Sequence, residues 1–197
     1  LSIQGGGYGL NGNAADVWNP NGPGSYSIPV GRGQAFERET RMEWYFGAGY
    51  YADPLQKPLN LDLGLRVSSS PFSRPRLTMS NTGASPFDPF NPNEKCSWNL
   101  FFRGDFGVGE LDYNLFPGYN VKKFQNLRLR AGKNDIGNPH ITDELFRRVF
   151  GSMGHVAPRG LICSAYFNGV YKGIYNLAER VREPMFQQHY RSENIWE

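Results

Sequence analysis

A chain of 197 residues with 39% hydrophobic and 15% aromatic residues can build a core without covalent staples, as one large domain or two small ones. Its 14 Phe and 11 Tyr exclude a disordered composition, and 24 Gly with 14 Pro point instead to many turns. A net charge of +3 is too small and diffuse to argue for nucleic acid, and no apolar run approaches the roughly 18 residues of a membrane span.

Residues 1–35 are rich in Gly, Asn and Pro and read as an irregular lead-in with a short strand at each side. The glycine-rich "GGGYGLNGN" is not followed by an amphipathic helix, so it reads as a turn rather than a phosphate cradle. In "AFERETRMEWYF" (35–46), Glu37, Glu39, Arg41 and Glu43 alternate with Arg38, Thr40, Met42 and Trp44, the period of a half-buried strand. "LNLDLGLRV" alternates again, with Leu59, Leu61, Leu63 and Leu65 on one face and Asn60, Asp62 and Arg66 on the other. The two runs are expected to pair as an antiparallel hairpin.

Residues 68–94 form a polar, proline-rich insertion of a length that is uncommon inside a compact domain. The span 36–120 is thus a β-rich extension carrying this insertion, and 121–197 a second segment. "KCSWNLFFRGDFG" resumes strand character, and two more strands are expected in "ELDYNLFPGYNVKKFQNLRLRAGKND". There, Leu127 and Leu129 alternate with Arg128 and Arg130, placing two cations on one strand face. "ITDELFRRVFGSMG" predicts a helix with an apolar stripe of Ile141, Leu145, Val149 and Met153, widened by Phe146 and Phe150. Asp143 and Glu144 begin it, Arg147 and Arg148 follow, and Gly151 and Gly154 are its expected stop.

"LICSAYF" then turns at Asn168-Gly169 into "YKGIYNL", the dipeptide most diagnostic of a tight hairpin, and a short helix starts near residue 183. The class is α+β: a mostly antiparallel sheet with one helix packed across it.

Motifs for chemistry are sparse. His140, His155 and His189 lack ligand spacing, so no metal site is expected. Asp105, Glu110 and Asp112 read as loop charge. Asp105-Phe106-Gly107 precedes the helix and hairpin, whereas a kinase places its metal-binding triplet after them. Cys96 and Cys163 allow one disulfide or two thiols. Both chain ends read as cut from something longer.

Three stretches carry a resemblance. "LRLRAGKND" (Leu129, Arg130, Gly132, Asp135), Met153-Gly154 at the helix end, and the hairpin from Asn168 to Glu179 resemble the CotH family of spore-coat-type atypical protein kinases over roughly residues 35–190. The resemblance implies a kinase-like small lobe after an N-terminal β extension. In it, Glu179, Arg180 and Val181 begin a hinge that meets adenine through the backbone. Arg128 or Arg130 stands as the phosphate-pairing cation, with Glu144 on the helix opposite and Lys95 and Lys133 as further candidates. It also implies ATP and magnesium as cofactors, and a secreted or cell-surface setting. The family's catalytic and metal-binding aspartates lie beyond the hinge, and only eighteen residues follow Glu179. The chain alone is therefore expected to carry no catalytic or metal-binding residue, its partner being the remaining C-terminal lobe and then a protein substrate or surface protein. The competing reading is a non-catalytic surface module docking protein partners through Phe72, Phe87 and Phe90. A carbohydrate-binding module rests only on Trp and Tyr abundance.

Overall fold

A computed structural model describes residues 2–4, 34, 37–47, 58–68, 97–132 and 141–193. The glycine-rich stretch, all but the first residue of the proline-rich insertion with Phe72, Phe87 and Phe90, and also Lys95, Cys96, Lys133, Asp135 and His140 lie outside these residues.

The chain runs β1 (Ser2–Gln4), β2 (Arg38–Trp44), β3 (Leu59–Ser68), β4 (Ser97–Phe101), β5 (Leu111–Asp112), β6 (Lys123–Phe124), β7 (Asn126–Arg130), α1 (Thr142–Ser152), β8 (Gly160–Phe167), β9 (Val170–Glu179) and α2 (Glu183–Tyr190). Seven strands close a barrel in the order β1-β2-β3-β4-β7-β9-β8, and β5 pairs with β6 apart from it. Every barrel pairing is antiparallel except the β1–β8 seam, which is parallel. The protein is therefore α+β and mostly antiparallel, with two helices. The expected β2–β3 hairpin forms over seven residue pairs, from Arg38↔Leu65 to Trp44↔Leu59. Because β4 lies between β3 and β7, the sheet runs across the boundary at residue 120.

Period-two patterning fills the barrel. Val67, Trp98, Leu129 and Leu177 stand opposite one another on adjacent strands, as do Leu65, Leu100 and Leu127, and all are buried. Burying one such leucine contributes about 2 kcal/mol. Leu111, Leu115, Phe116, Val121 and Phe124, from the segment holding β5 and β6, belong to the same core. The β8–β9 turn is the expected one: Asn168 and Gly169 have φ of 49° and 79°, the left-handed pair of a two-residue hairpin loop. One register shift interrupts the hairpin between Ser164 and Tyr166, where Lys172 and Gly173 oppose Ala165. Gly173 takes φ 90° there, the left-handed conformation in which glycine serves a bulge.

The first helix departs from expectation. Its apolar stripe does not pack on the sheet: Ile141, Leu145, Phe146, Val149, Phe150 and Met153 are all exposed, Phe146 by 68%. The buried residue is Glu144. Polar contacts, described below, hold the helix in place. Its stop is Gly154 at φ 90°, whose N–H donates to the Gly151 carbonyl; Gly151 itself lies within the helix. The second helix starts where expected, with Pro184 in its first turn and Arg191 as a left-handed cap.

Candidate functional site

Side chains opposite one another on paired strands share a face, so register alone defines the outer surface of β3, β4, β7, β9 and β8. The central row there is Arg66, Asn99, Arg128, Ala178 and Gly160. A second row is Arg130, Asn176 and Ile162, and a third is Gly64, Phe101 and Asn126. The alternation of Leu127 and Leu129 with Arg128 and Arg130 thus holds in space: leucines inward, arginines outward. Charge gathers at three places on this frame.

At the α1 end, Arg130 Nε lies 3.1 Å from Asp143 Oδ2. Glu144, the expected partner of the strand cation, is engaged elsewhere. It pairs with Arg147 at 2.9 Å and Arg148 at 2.7 Å, and accepts from the Gly160 N–H at 3.3 Å and the Asn176 amide at 3.4 Å. Arg147 also bonds Asn176 Oδ1, and Arg148 donates to the Gly160 carbonyl. The lack of a side chain at Gly160 makes this possible. A Cβ there would sit 2.5 Å from Glu144 Oε2 and 2.8 Å from the Leu177 carbonyl. The helix is therefore moored by a buried carboxylate seated over a glycine, with its cations matched.

In the middle of the face, Arg128 is not matched. Its Nε is buried without a hydrogen-bond partner, and so is Oδ1 of Asn99, its neighbour in register. Burial holds the Arg128 pKa below its ordinary value, Arg130 lowers it further, and Asp143 offsets part of this. An orphan donor beside an orphan acceptor is an arrangement a bound polar group would complete.

At the α2 end, four more guanidinium groups converge. Arg66, Arg103 and Arg180 lie 4.9, 5.2 and 5.4 Å from the centre of the Phe101 ring. Glu37, buried just before β2, binds Arg103 through two contacts of 2.8 and 3.3 Å and lies 3.6 Å from Arg66. The loop carrying Arg103 is set by two glycines. A Cβ at Gly64 would strike the Phe106 ring at 2.5 Å, and one at Gly107 would strike the Asp62 carbonyl at 2.7 Å. Both omissions let residues 103–107 fold down onto β3, where Phe106 and Gly107 N–H groups close a turn on the Arg103 carbonyl. Arg180 has its pKa pulled down to about 10, first by burial and then by Arg182, Arg66 and Arg128, against the opposing pull of Glu37.

Glu179 faces inward, opposite Leu127, at the end of β9. Its carboxylate accepts from the Tyr119 hydroxyl at 2.7 Å and the Arg159 N–H at 2.8 Å, and His189 Nε2 lies 3.5 Å away. Tyr119 also contacts His189 Nε2. A phenol giving its one proton to a carboxylate can only accept from the imidazole, which places the His189 proton on Nε2. Burial, with Glu179 close by, raises the Tyr119 pKa strongly, so the phenol stays protonated. The Glu179 N–H bonds the Arg159 carbonyl and so is not free to meet a ligand. Val181, the next hinge candidate, is exposed.

Residue patterns therefore named Arg128, Arg130, Glu144, Glu179 and Val181, and the fold puts Arg128 and Arg130 on one face while enclosing Glu144 and Glu179 in separate networks. Glu37, Arg66, Arg103, Arg182, Asp143 and Tyr119 were missed as site residues, and Arg180 was named only for its backbone in the hinge. Arg103 and Glu37 stand 66 positions apart, a separation that no local pattern records. Among the described residues no group of three His, Cys, Asp or Glu is placed to hold a metal ion. No described helix is long and apolar enough to cross a membrane.

A mostly antiparallel barrel with two helices and an outer face bearing Arg66, Arg128 and Arg130 defines an α+β protein. A family model described as CotH kinase protein matches residues 83–195, more than half of the chain, and the chain belongs to that family. The match takes in β4 to α2. No curated protein matches the chain.

Proposed function

We propose that this chain supplies the nucleotide side of a CotH-type kinase, built as a small lobe and working with a larger lobe that carries the catalytic base and the metal-binding aspartates. Family membership supports the kinase class. The strand order β3-β4-β7-β9-β8, with α1 between β7 and β8 and the exit from β9 leading into α2, supports the small-lobe reading. The single observation that carries it is the buried, unpartnered Nε of Arg128 on the outer face. A phosphate oxygen there would satisfy the donor and offset the cost of burying the charge. Arg130, held at the same face by Asp143, would be the second cation.

ATP fits these donors. Magnesium finds no acidic set among the described residues, so the metal would be held by the larger lobe. When bound, ATP supplies the transferable phosphoryl group; this chain's residues orient and neutralise its phosphates. Glu144 is a positioning residue, since it fixes α1 and, through Asp143 on the same helix, the aim of Arg130. Tyr119, Arg159 and His189 hold Glu179 and thereby the start of the segment leading to α2.

Calorimetric titration of ATP, with and without magnesium, tests the reading. Binding weakened about tenfold or more by Arg128→Ala is expected. ATP binding that neither Arg128→Ala nor Arg130→Ala weakens, or no binding at all, removes these cations from the role.

A non-catalytic protein-docking module is the second reading, and one observation favours it. The exposed stripe from Ile141 to Met153 on α1 is the kind of apolar surface that partner proteins cover. A protein that binds no nucleotide, and in which Phe146→Asp abolishes partner capture, would favour that reading.

A further inference from the structure

Helix α1 turns away from the sheet the face that its sequence pattern would bury. Ile141, Leu145, Phe146, Val149, Phe150 and Met153 are exposed by 47–68%, in one stripe running from the N-cap to the C-cap. We propose that this stripe is a two-fold interface on which a second copy of this chain docks, helix against helix. Area is the first argument. Side chains of this size, about half exposed, leave roughly 100 Å² apiece, so two copies can cover about 1,200 Å² in all, the lower bound of a specific interface. The share of one copy, about 600 Å², is already at the upper end of what monomers expose. Ile162, Tyr166, Tyr171 and Ile174 lie on the side of the sheet that carries α1 and are exposed as well.

Charge is the second argument, and it selects a copy over an unrelated partner. The charged side chains of the helix, Asp143, Glu144, Arg147 and Arg148, are all held in ion pairs on its sheet-facing side. A two-fold axis sets each group near its own counterpart, so a charge on the stripe would meet a like charge there. The stripe carries none. An unrelated partner ordinarily brings a polar, charged rim, and α1 holds no charge to answer it. Shape is the third argument. Leu145, Val149 and Met153 recur every fourth residue, and Phe146 and Phe150 form a parallel ridge, the rows that interdigitate between packed helices. Phe150 is steadied by stacking on His155, with ring centres 4.4 Å apart. Phe146, the most exposed of the six, lies near the middle of the stripe, where a two-fold axis brings it against its counterpart.

Sedimentation equilibrium of the chain without nucleotide tests this, so its failure and that of the nucleotide reading stay separate. An interface of this area predicts a dimer with a Kd on the order of 10 µM. Phe146→Asp should raise that Kd about tenfold or more, with the thermal midpoint kept within about 3 °C because the residue is exposed. An equal mixture of Phe146→Asp and Phe146→Lys should pair about tenfold more tightly than either variant alone. Val108→Asp puts the same charge on an exposed apolar residue of the loop after β4, and should leave the Kd within about twofold. Four results each overturn the proposal: a chain still monomeric at about ten times that Kd, a dimer unmoved by Phe146→Asp, a mixture no tighter than its parts, or equal loss in Val108→Asp. If the chain is monomeric, a midpoint lowered by Phe146→Asp assigns the stripe to cover from within the chain, and an unchanged midpoint assigns it to a different protein.

Discussion

The two ends of the outer face use the same side chain for opposite purposes. At the α1 end, Arg130, Arg147 and Arg148 meet Asp143 and Glu144, so cations and carboxylates are close to balance. At the α2 end, Arg66 and Arg103 share one Glu37, while Arg180 feels mainly other arginines. Arg128 lies between, half-buried, with its Nε buried and unpartnered. Matched charge moors a helix whose apolar stripe faces outward; unmatched charge leaves the protein asking for an anion. The difference teaches that counting arginines says little until each is assigned its carboxylate.

Breaking the matched end should cost most. Glu144→Ala takes a carboxylate from both Arg147 and Arg148, leaves the Gly160 N–H and the Asn176 amide without their acceptor, and is expected to destabilise the protein by about 4 kcal/mol in denaturant titration. Arg103→Gln removes the forked partner of Glu37, leaving only Arg66 beside it, and should cost about 2 kcal/mol in the same measurement. Tyr119→Phe deletes the hydroxyl shared by Glu179 and His189, for a loss of about 1.5 kcal/mol. The smallest effect has the opposite sign. Arg180 holds a folded pKa of about 10, below the ordinary arginine value, so below pH 10 its half-buried charge opposes folding, and that opposition fades as pH rises from 10 toward the ordinary value. Arg180→Gln should therefore raise the thermal midpoint at neutral pH by about 2 °C, a gain kept small by solvent screening. A fall instead would place Arg180 among the matched charges.

Much of this frame is legible in the residues, because strand alternation and tight turns are local physics. Leu127 and Leu129 inside with Arg128 and Arg130 outside, the β2–β3 hairpin and the Asn168-Gly169 turn all follow from period and φ preference. The helix was legible in extent but not in orientation. A stripe of Leu145, Phe146, Val149 and Phe150 ordinarily marks the packed face, yet here a single carboxylate seated over Gly160 outweighs it. Nothing near Glu144 in sequence announces Gly160 or Asn176, 16 and 32 residues away. Glu37 misleads in the same manner. Alternation assigns it to the outer side with exposed Glu39, and it does lie on that side; what alternation does not show is that Arg66 of β3 and Arg103 of the loop after β4 cover it there. Barrel closure by a parallel β1–β8 seam is likewise a long-range event without a local signature.

Arg128 tests the account most directly, since the residue is half-buried and its buried Nε has no hydrogen-bond partner. Titrating ATP into the protein and its Arg128→Gln variant, with thermal unfolding measured on both, reads the two roles apart. The account predicts a Kd raised about tenfold or more with a thermal midpoint unchanged or higher. An unmoved Kd together with a large fall in thermal midpoint, like that expected for Glu144→Ala, would contradict it.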